Sequence, residues 1–513
     1  MASTVPTSSS HNDFFGLPSA WSQCLNPIEN GIPGRFEGEV ANLAVFGEIP
    51  KEIDGTFYRI MVDPVFPPPP GNPPVEGDGN ICAFRVHDGS VDMKIKYVET
   101  ERLKLERKAN KRLFGLYRSP FSHHPCVRAA IDSTANTNLV FWAGKLLALK
   151  EGAQPYAVDP DTLDTIEYDP FQCPGQTFSA HPKFDPFTEE LVCFGYEAKG
   201  LATNDVVIYS LDKMGNKHHE QWIKAPWCAP IHDCAITQNF IVLVLWPFEA
   251  ELERIKAGGQ HWQYSYDRPA TFIVVPRRPD RLPSGWKMGE SRLYHWENAV
   301  AMHTASAWED ADGKLYFEGS RVFYNIFRVF DPPGDHHGSK NMKADYVRWK
   351  IDLSQPSGTL VADPEIILDL PAELARVDER FLTRPYDLIF SPVLLPNKPS
   401  TLPPIVPICL NGYVMLEKQS GRRTFFDPGY NSTTEEPIFI PRSESAPEGD
   451  GWIMGMVQRM DENRSDLMVI DTKDFSKPVA IIQLPFRTKN QVHGNWVEAK
   501  TQSEGYKALV GRK

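Results

Sequence analysis

A succession of short apolar segments, each closed by turn residues, constrains this chain more than any other feature. LVFWAGKLLAL (139–149), ELVCFGY (190–196), NDVVIYSLD (204–212), NFIVLVLWPF (239–248), ATFIVVPRR (270–278), KLYFEGSRV (314–322), GYVMLEK (412–418), WIMGMVQRM (452–460) and DLMVIDTKD (466–474) are rich in β-branched and aromatic residues. That composition, bounded by turn signals, predicts strands. The 45 prolines and 35 glycines supply turns between them. Asp78-Gly79, Asp88-Gly89, Asp312-Gly313 and Asn411-Gly412 suit tight hairpin turns. Helical signals are few: 104–117, 249–258 (EAELERIKAG) and 371–381 (PAELARVDERF). So many short strands in 513 residues exceed one sandwich, and radial repetition leaves only short, protected sheet edges. The expected fold is therefore all-β, a β-propeller. Residues 1–12 are polar and Ser/Thr-rich and are expected to form a disordered tail. No linker divides 13–513, which reads as a single domain. The proline-rich stretches 65–74 and 394–407 read as its loops.

Within the strand pattern one unit recurs: a histidine, a few residues, a turn, an apolar strand. It occurs as AHPKFDPFTEELVCFGY around His181, as IHDCAITQNFIVLVLWP around His232 and as MHTASAWEDADGKLYFEGS around His303. A fourth histidine, His493, sits in NQVHGNWVE. Successive members are 51, 71 and 190 residues apart. That is too wide for a zinc finger or a helical HExxH site. It suits a ring of blades that each send one side chain to the axis. Neutral imidazoles gathered there would bind Fe, Cu, Zn or Ni; a structural role for each histidine is the competing reading. A metal-bound imidazole needs an acceptor on its other ring nitrogen. Glu151, directly after the strand LLALK, is a candidate, as are Glu373 in PAEL and Glu436 (or its neighbour Glu435) in EEPIFIP. For Glu373 and the Glu435/Glu436 pair, a solvated surface carboxylate is the alternative.

The net charge of −12 argues against nucleic acid as a partner and against a polybasic membrane anchor. The longest apolar run, near Phe240–Phe248, is far too short to span a bilayer. The first residues show neither a positive n-region nor an apolar h-region. Eight cysteines are scattered without a CxxC pair, the pattern of buried thiols in a reducing compartment. The cytoplasm is the expected location. A disulfide between Cys228 and Cys234 stays open.

From EGDGNICAFRV (76–86) to VHGNWV (492–497), with the contexts of the four histidines between, the chain resembles the carotenoid cleavage oxygenase family. The resemblance implies a seven-bladed propeller with a loop/helix cap over an axial site. It implies non-heme Fe(2+) held by His181, His232, His303 and His493, with Glu151, Glu373 and Glu436 behind three of them; Glu379 is an alternative to Glu373. LYRSPF (116–121) and TANTNLVFWAGKLLALKEG (134–152) are similar to the stilbenoid-cleaving branch, the lignostilbene dioxygenases and fungal resveratrol-cleaving oxygenases. That similarity implies that Tyr117 and Lys150 hold the substrate's 4-hydroxyl. The reaction would be cleavage of the interphenyl C=C bond of resveratrol, piceatannol or a similar 4-hydroxystilbene by O2, giving two aromatic aldehydes. An apocarotenoid substrate is the alternative. The implied partners are a small phenol and O2, with no protein partner. Alternation along a strand would put Lys150 and Glu151 on opposite faces, so both serve one site only if the strand ends or bends there, which Gly152 permits. Cys82 stands where the family has a histidine. Phe66, Phe121 and Trp308 are candidate aromatic linings.

Overall fold

A computed structural model describes residues 34–334, 343–396, 398 and 410–510, with side chains described as far as 504. The tail 1–12, Cys24 and Cys409 lie outside the described residues.

Seven antiparallel sheets follow one another around a ring. Blade 1 runs from Gly38–Val40 through Ser90–Tyr97, Gly79–His87 and Gly55–Val62 to Gln491–Glu498 at its inner edge. Blade 2 comprises Asn138–Trp142 (inner), Lys145–Leu149, Tyr156–Val158 and Thr165–Tyr168. Blade 3 comprises Lys183–Asp185 (inner), Glu190–Tyr196, Asp205–Leu211 and Lys217–Lys224. Blade 4 comprises Cys234–Ile236 (inner), Phe240–Leu245, Thr271–Pro276 and Arg292–His295, with Thr359–Leu360 added in parallel. Blade 5 comprises Val300–Glu309 (inner), Lys314–Val322, Ala344–Asp352 and Glu365–Leu368. Blade 6 has Leu388–Val393 (inner), Gly412–Glu417 and Arg422–Phe426. Blade 7 has Ser432–Thr434 and Ile438–Pro441 (inner), then Gly451–Arg459, Arg464–Asp471, Pro478–Gln483 and Ala44–Gly47. Strands from opposite ends of the sequence thus complete blades 1 and 7. The ring is latched by backbone ladders rather than left with an open seam.

The apolar runs become the middle strands of blades because neighbouring blades cover both faces. Every residue of Phe240–Leu245 and Thr271–Pro276 is buried, which is why these strands read as continuous hydrophobic stretches rather than alternating ones. Several local readings need correction. LVFWAGKLLAL is two strands, Asn138–Trp142 and Lys145–Leu149, joined by Ala143-Gly144, both at positive φ (48° and 77°). Asp88-Gly89 and Asp312-Gly313 do sit in hairpin turns, but Gly79 and Gly412 begin strands instead. Gly79 is required there for closeness, since a Cβ would lie 2.3 Å from the Ala135 carbonyl oxygen.

The helix signal at 104–117 is the helix Glu101–Ala109, capped by the Thr100 hydroxyl and stopped at Asn110 in the left-handed region. That at 249–258 shrinks to Leu252–Lys256, because Phe248–Ala250 pairs as a strand with Trp262–Tyr264. No helix forms over 371–381 apart from a 3-10 turn at Glu379–Phe381. Ala372 and Arg376 instead bridge to Val393 and Phe390 of blade 6, and Leu374 takes φ 58°. Tertiary pairing outweighs helix propensity there. Cys228 and Cys234 are both buried free thiols, so they form no disulfide.

Candidate metal centre

The four histidines stand on the inner edges of blades 3, 4, 5 and 1. His181 and His232 each precede the innermost strand of their blade by two residues, and His303 and His493 lie within theirs. Register shifts interrupt the ladder between Ala301 and Ser306, and between Arg59 and Met61 opposite His493. Such bulges re-aim a side chain out of the regular alternation. One ring nitrogen from each of the four histidines lies within 4.8 Å of the others. His232 Nε2 is 3.2 Å from His181 Nε2 and 2.9 Å from His303 Nε2.

The glutamates come from the three blades that contribute no histidine. Glu151 follows the second strand of blade 2, Glu373 precedes the inner strand of blade 6, and Glu436 lies between the two inner segments of blade 7. Glu151 Oε1 accepts from His232 Nδ1, and its Oε2 accepts from the Tyr196 hydroxyl at 2.8 Å. Glu373 Oε2 accepts from His303 Nδ1 at 2.7 Å. Glu436 faces His493 Nδ1 with both oxygens at 3.3 Å and accepts from the Gly494 N–H at 3.0 Å. Glu435 faces elsewhere, paired with Arg59 and Gln458. Glu379 bonds to Arg376 on the exposed side.

At His232, His303 and His493 these contacts set the tautomer. A carboxylate on Nδ1 holds the proton there and leaves the lone pair on Nε2. His232 and His303 then bring bare Nε2 lone pairs to 2.9 Å with no proton between them. A cation in their midst is the chemical species that such a donor set fits, and an all-imidazole set suits Fe, Cu, Zn or Ni. At His181 and His493 the electrostatics agree. Burial, reinforced by the neighbouring imidazoles, holds His181 well below the usual histidine range. Burial also lowers His493 despite Glu436. At His303 burial acts downward too, but the Glu373 carboxylate outweighs it and raises the value. Burial alone would raise Glu151 and Glu436; His232 and His493 outweigh it and bring each carboxyl down to about 2.

Asp233, the residue after His232, staples the histidine-bearing edges together. Its carboxylate accepts from the Thr304 N–H (2.7 Å) and hydroxyl (3.0 Å) on blade 5, from its own blade's Cys234 N–H (2.7 Å), and pairs with Lys183 on blade 3 at 2.8 Å.

Lys150 and Glu151 serve adjoining regions because the strand ends at Leu149 and a turn begins. The alternation rule stops applying between them. Lys150 is 6% exposed, and its Nζ lies 5.0 Å from the centroid of the Tyr117 ring. Nζ donates to Asn136 Oδ1 at 3.1 Å. The Asn136 amide is fixed in turn, its Nδ2 donating to the Val75 and Gly77 carbonyls at 2.9 and 2.8 Å. Burial lowers the Lys150 ammonium below the ordinary lysine value, against the pull of Glu76 and Glu151.

A run of ring contacts joins the two regions: His232 to Trp246 (4.9 Å), Trp246 to Phe327 (6.4 Å), Phe327 to Phe330 (6.0 Å) and Phe330 to Tyr117 (6.3 Å). Trp246, Phe327 and Phe330 are not among the aromatic linings expected from the sequence. Phe121 is 41% exposed, Phe66 is half-buried, and Trp308 stacks on Tyr316 and meets Tyr386 edge-to-face between blades 5 and 6. Asn136, Tyr196 and Asp233 also escaped sequence reasoning; the His-Asp pair at 232–233 was the one visible signal.

The family profile described as retinal pigment epithelial membrane protein matches residues 31–498. The chain is 57% identical over 498 residues to resveratrol cleavage oxygenase 1 of Botryotinia fuckeliana, covering 96% of this chain and 89% of that protein. It is 39% identical over 489 residues to carotenoid cleavage oxygenase 1 of Neurospora crassa, covering 93% and 91%. The crystal structure of Pseudomonas brassicacearum lignostilbene dioxygenase matches with a TM-score of 0.85 at 35% identity, over 93% of this chain and 99% of that one.

Proposed function

This chain belongs to the carotenoid oxygenase family, matched through its retinal pigment epithelial membrane protein profile, and from that premise we propose that it is a dioxygenase cleaving the interphenyl C=C bond of 4-hydroxystilbenes such as resveratrol and piceatannol. One C=C and one O=O bond break and two C=O bonds form. Two aromatic aldehydes result, with no external reductant. The observation that carries the substrate class is the 57% identity, over 96% of the chain, to a protein named for resveratrol cleavage.

The proposed metal is Fe(2+), held by His181, His232, His303 and His493; their ring nitrogens, within 4.8 Å of one another, support a metal there, and the family resemblance supports iron. When bound, iron supplies O2 activation. Glu151, Glu373 and Glu436 keep three imidazoles in the ligating tautomer and offset part of the charge.

Tyr117 and Lys150 are the proposed holders of the substrate's 4-hydroxyl. With burial lowering its pKa, the Lys150 amine takes or shares the phenolic proton at Nζ. Electron density moves from the phenolate through the ring onto the alkene, which makes the alkene more reactive toward an oxidant. Asn136 Oδ1 takes one Nζ hydrogen and so aims the amine. Trp246, Phe327 and Phe330 would flank a flat stilbene lying between Tyr117 and the histidines. A cytoplasmic location is part of the proposal, supported by free thiols at Cys82, Cys126, Cys173, Cys193, Cys228 and Cys234. No described helix is long and apolar enough to cross a membrane.

Product analysis tests the substrate. Iron-loaded protein given resveratrol should form 4-hydroxybenzaldehyde and 3,5-dihydroxybenzaldehyde in equal amounts as O2 is consumed. Oxygen uptake with an apocarotenal, and no aldehyde from resveratrol, would overturn the substrate in favour of the carotenoid reading.

A further inference from the structure

One largely buried hydrogen-bond chain leads outward from the histidine centre and ends beside the phenol-binding region. Glu151 Oε2, on the far side of the carboxylate from His232, accepts from the Tyr196 hydroxyl at 2.8 Å. The Tyr196 oxygen in turn accepts from Arg118 Nη1 at 2.8 Å. Arg118 Nη2 reaches the Glu197 carboxylate, which His261 Nε2 also meets at 3.1 Å. The other ring nitrogen of His261, Nδ1, lies 2.8 Å from the Arg118 carbonyl oxygen. The guanidinium also lies over the Tyr196 and Trp262 rings, 5.1 and 5.6 Å from their centroids.

Two details say that this is more than a packed salt bridge. First, Arg118 sits at φ 51°, a left-handed conformation that a bulky residue adopts only where its surroundings over-determine it. Its neighbour is Tyr117, so the same contacts that hold Arg118 set where the Tyr117 ring stands. Second, Tyr196 ends the second strand of blade 3 and Glu197 follows it, whereas Arg118 lies in the loop between blades 1 and 2. The chain therefore fastens the loop bearing Tyr117 to the carboxylate that supports His232. Arg118 donating into the Tyr196 oxygen polarises the phenol O–H and strengthens its bond to Glu151.

We propose that Tyr196 and Arg118 are positioning residues: Tyr196 fixes Glu151 and hence the metal affinity of His232, while Arg118 fixes Tyr196 and Tyr117 together and so couples metal support to phenol binding. Neither residue touches substrate or metal. This rests on the metal site and phenol contacts proposed above. Burial holds the Tyr196 phenol well above its ordinary pKa, so it stays a donor throughout the working pH range.

The test is a cobalt(II) titration of full-length apoprotein against a competing chelator, paired with resveratrol kinetics on the iron-loaded protein. Tyr196→Phe should weaken cobalt binding by roughly 10–100-fold, the usual consequence of removing such a support, and leave KM for resveratrol unchanged. Arg118→Lys should weaken cobalt binding and raise KM as well. Tyr196→Phe with wild-type cobalt affinity overturns the proposal, including where the variant merely melts at a lower temperature. Arg118→Lys that leaves both readouts unchanged overturns the coupling. Wild-type protein that binds no cobalt overturns the metal site itself, which separates that failure from this one.

Discussion

Replacing Glu373 with glutamine exchanges one oxygen for an NH2 group at almost constant volume, in a site with no solvent exposure. Glu373 Oε2 accepts from His303 Nδ1 (2.7 Å) and the Leu374 N–H (2.9 Å), while Oε1 accepts from the His303 N–H (3.2 Å). A glutamine has two orientations. With its oxygen toward Nδ1, the NH2 confronts the His303 N–H, donor against donor. With its oxygen toward that N–H, the NH2 confronts the Leu374 N–H and also His303 Nδ1. That nitrogen can then accept only if its proton moves to Nε2, the atom facing His232. The first orientation is the better one, and it leaves two buried donors, the His303 N–H and the new NH2, without acceptors at about 1–3 kcal/mol each. It also removes the negative charge that keeps the imidazole basic. Together these should weaken metal binding by roughly 10–100-fold. The assay is metal retained after equilibrium dialysis against graded chelator, with O2 uptake on the same samples. Activity should return in excess iron. A Glu373→Gln protein that holds iron as tightly as wild type would refute the reasoning, because the proton on His303 Nδ1 would then need no carboxylate.

Lys150→Met should retain iron but lose roughly 10²–10⁴-fold in kcat/KM for resveratrol, the usual range for removing a proton-transfer group; undiminished turnover would remove its role. The pH dependence carries a definite sign. Burial lowers the Lys150 pKa, so the neutral amine that accepts the phenol's proton is present from a lower pH than for a free lysine. The kcat/KM of the wild type should rise with pH through that shifted value, and Lys150→Met should lack this limb. A stilbene methylated at the 4-hydroxyl should react roughly 10–100-fold more slowly than its parent, since it leaves buried polar groups unpaired; equal rates would show that the hydroxyl is not held.

Much of this was legible because its signals are local. Turn-bounded apolar runs give strands wherever they occur, and the repeated histidine–turn–strand unit brought His181, His232 and His303 forward before any geometry was known. The structure sets all three beside His493. What the sequence hid depends on contacts between blades. PAELARVDERF has good helix formers, yet its backbone bridges to Phe390 and Val393, which no local propensity encodes. Lys150 and Glu151 looked incompatible under strand alternation until the strand was seen to stop at Leu149. Trp308 has the composition of a pocket aromatic but packs between blades 5 and 6, while Trp246, Phe327 and Phe330 reach the site from blade 4 and the loop around 327–330. Asn136, Arg118 and Tyr196 are ordinary residues in ordinary contexts; only their partners, up to 79 positions away, give them work.

Anomalous X-ray diffraction at the iron absorption edge, on crystals of protein purified without added metal, addresses the metal centre most directly. One strong peak enclosed by the Nε2 atoms of His181, His232, His303 and His493 is the expected result. Crystals with no peak at that point, or with iron bound elsewhere in the chain, would contradict it.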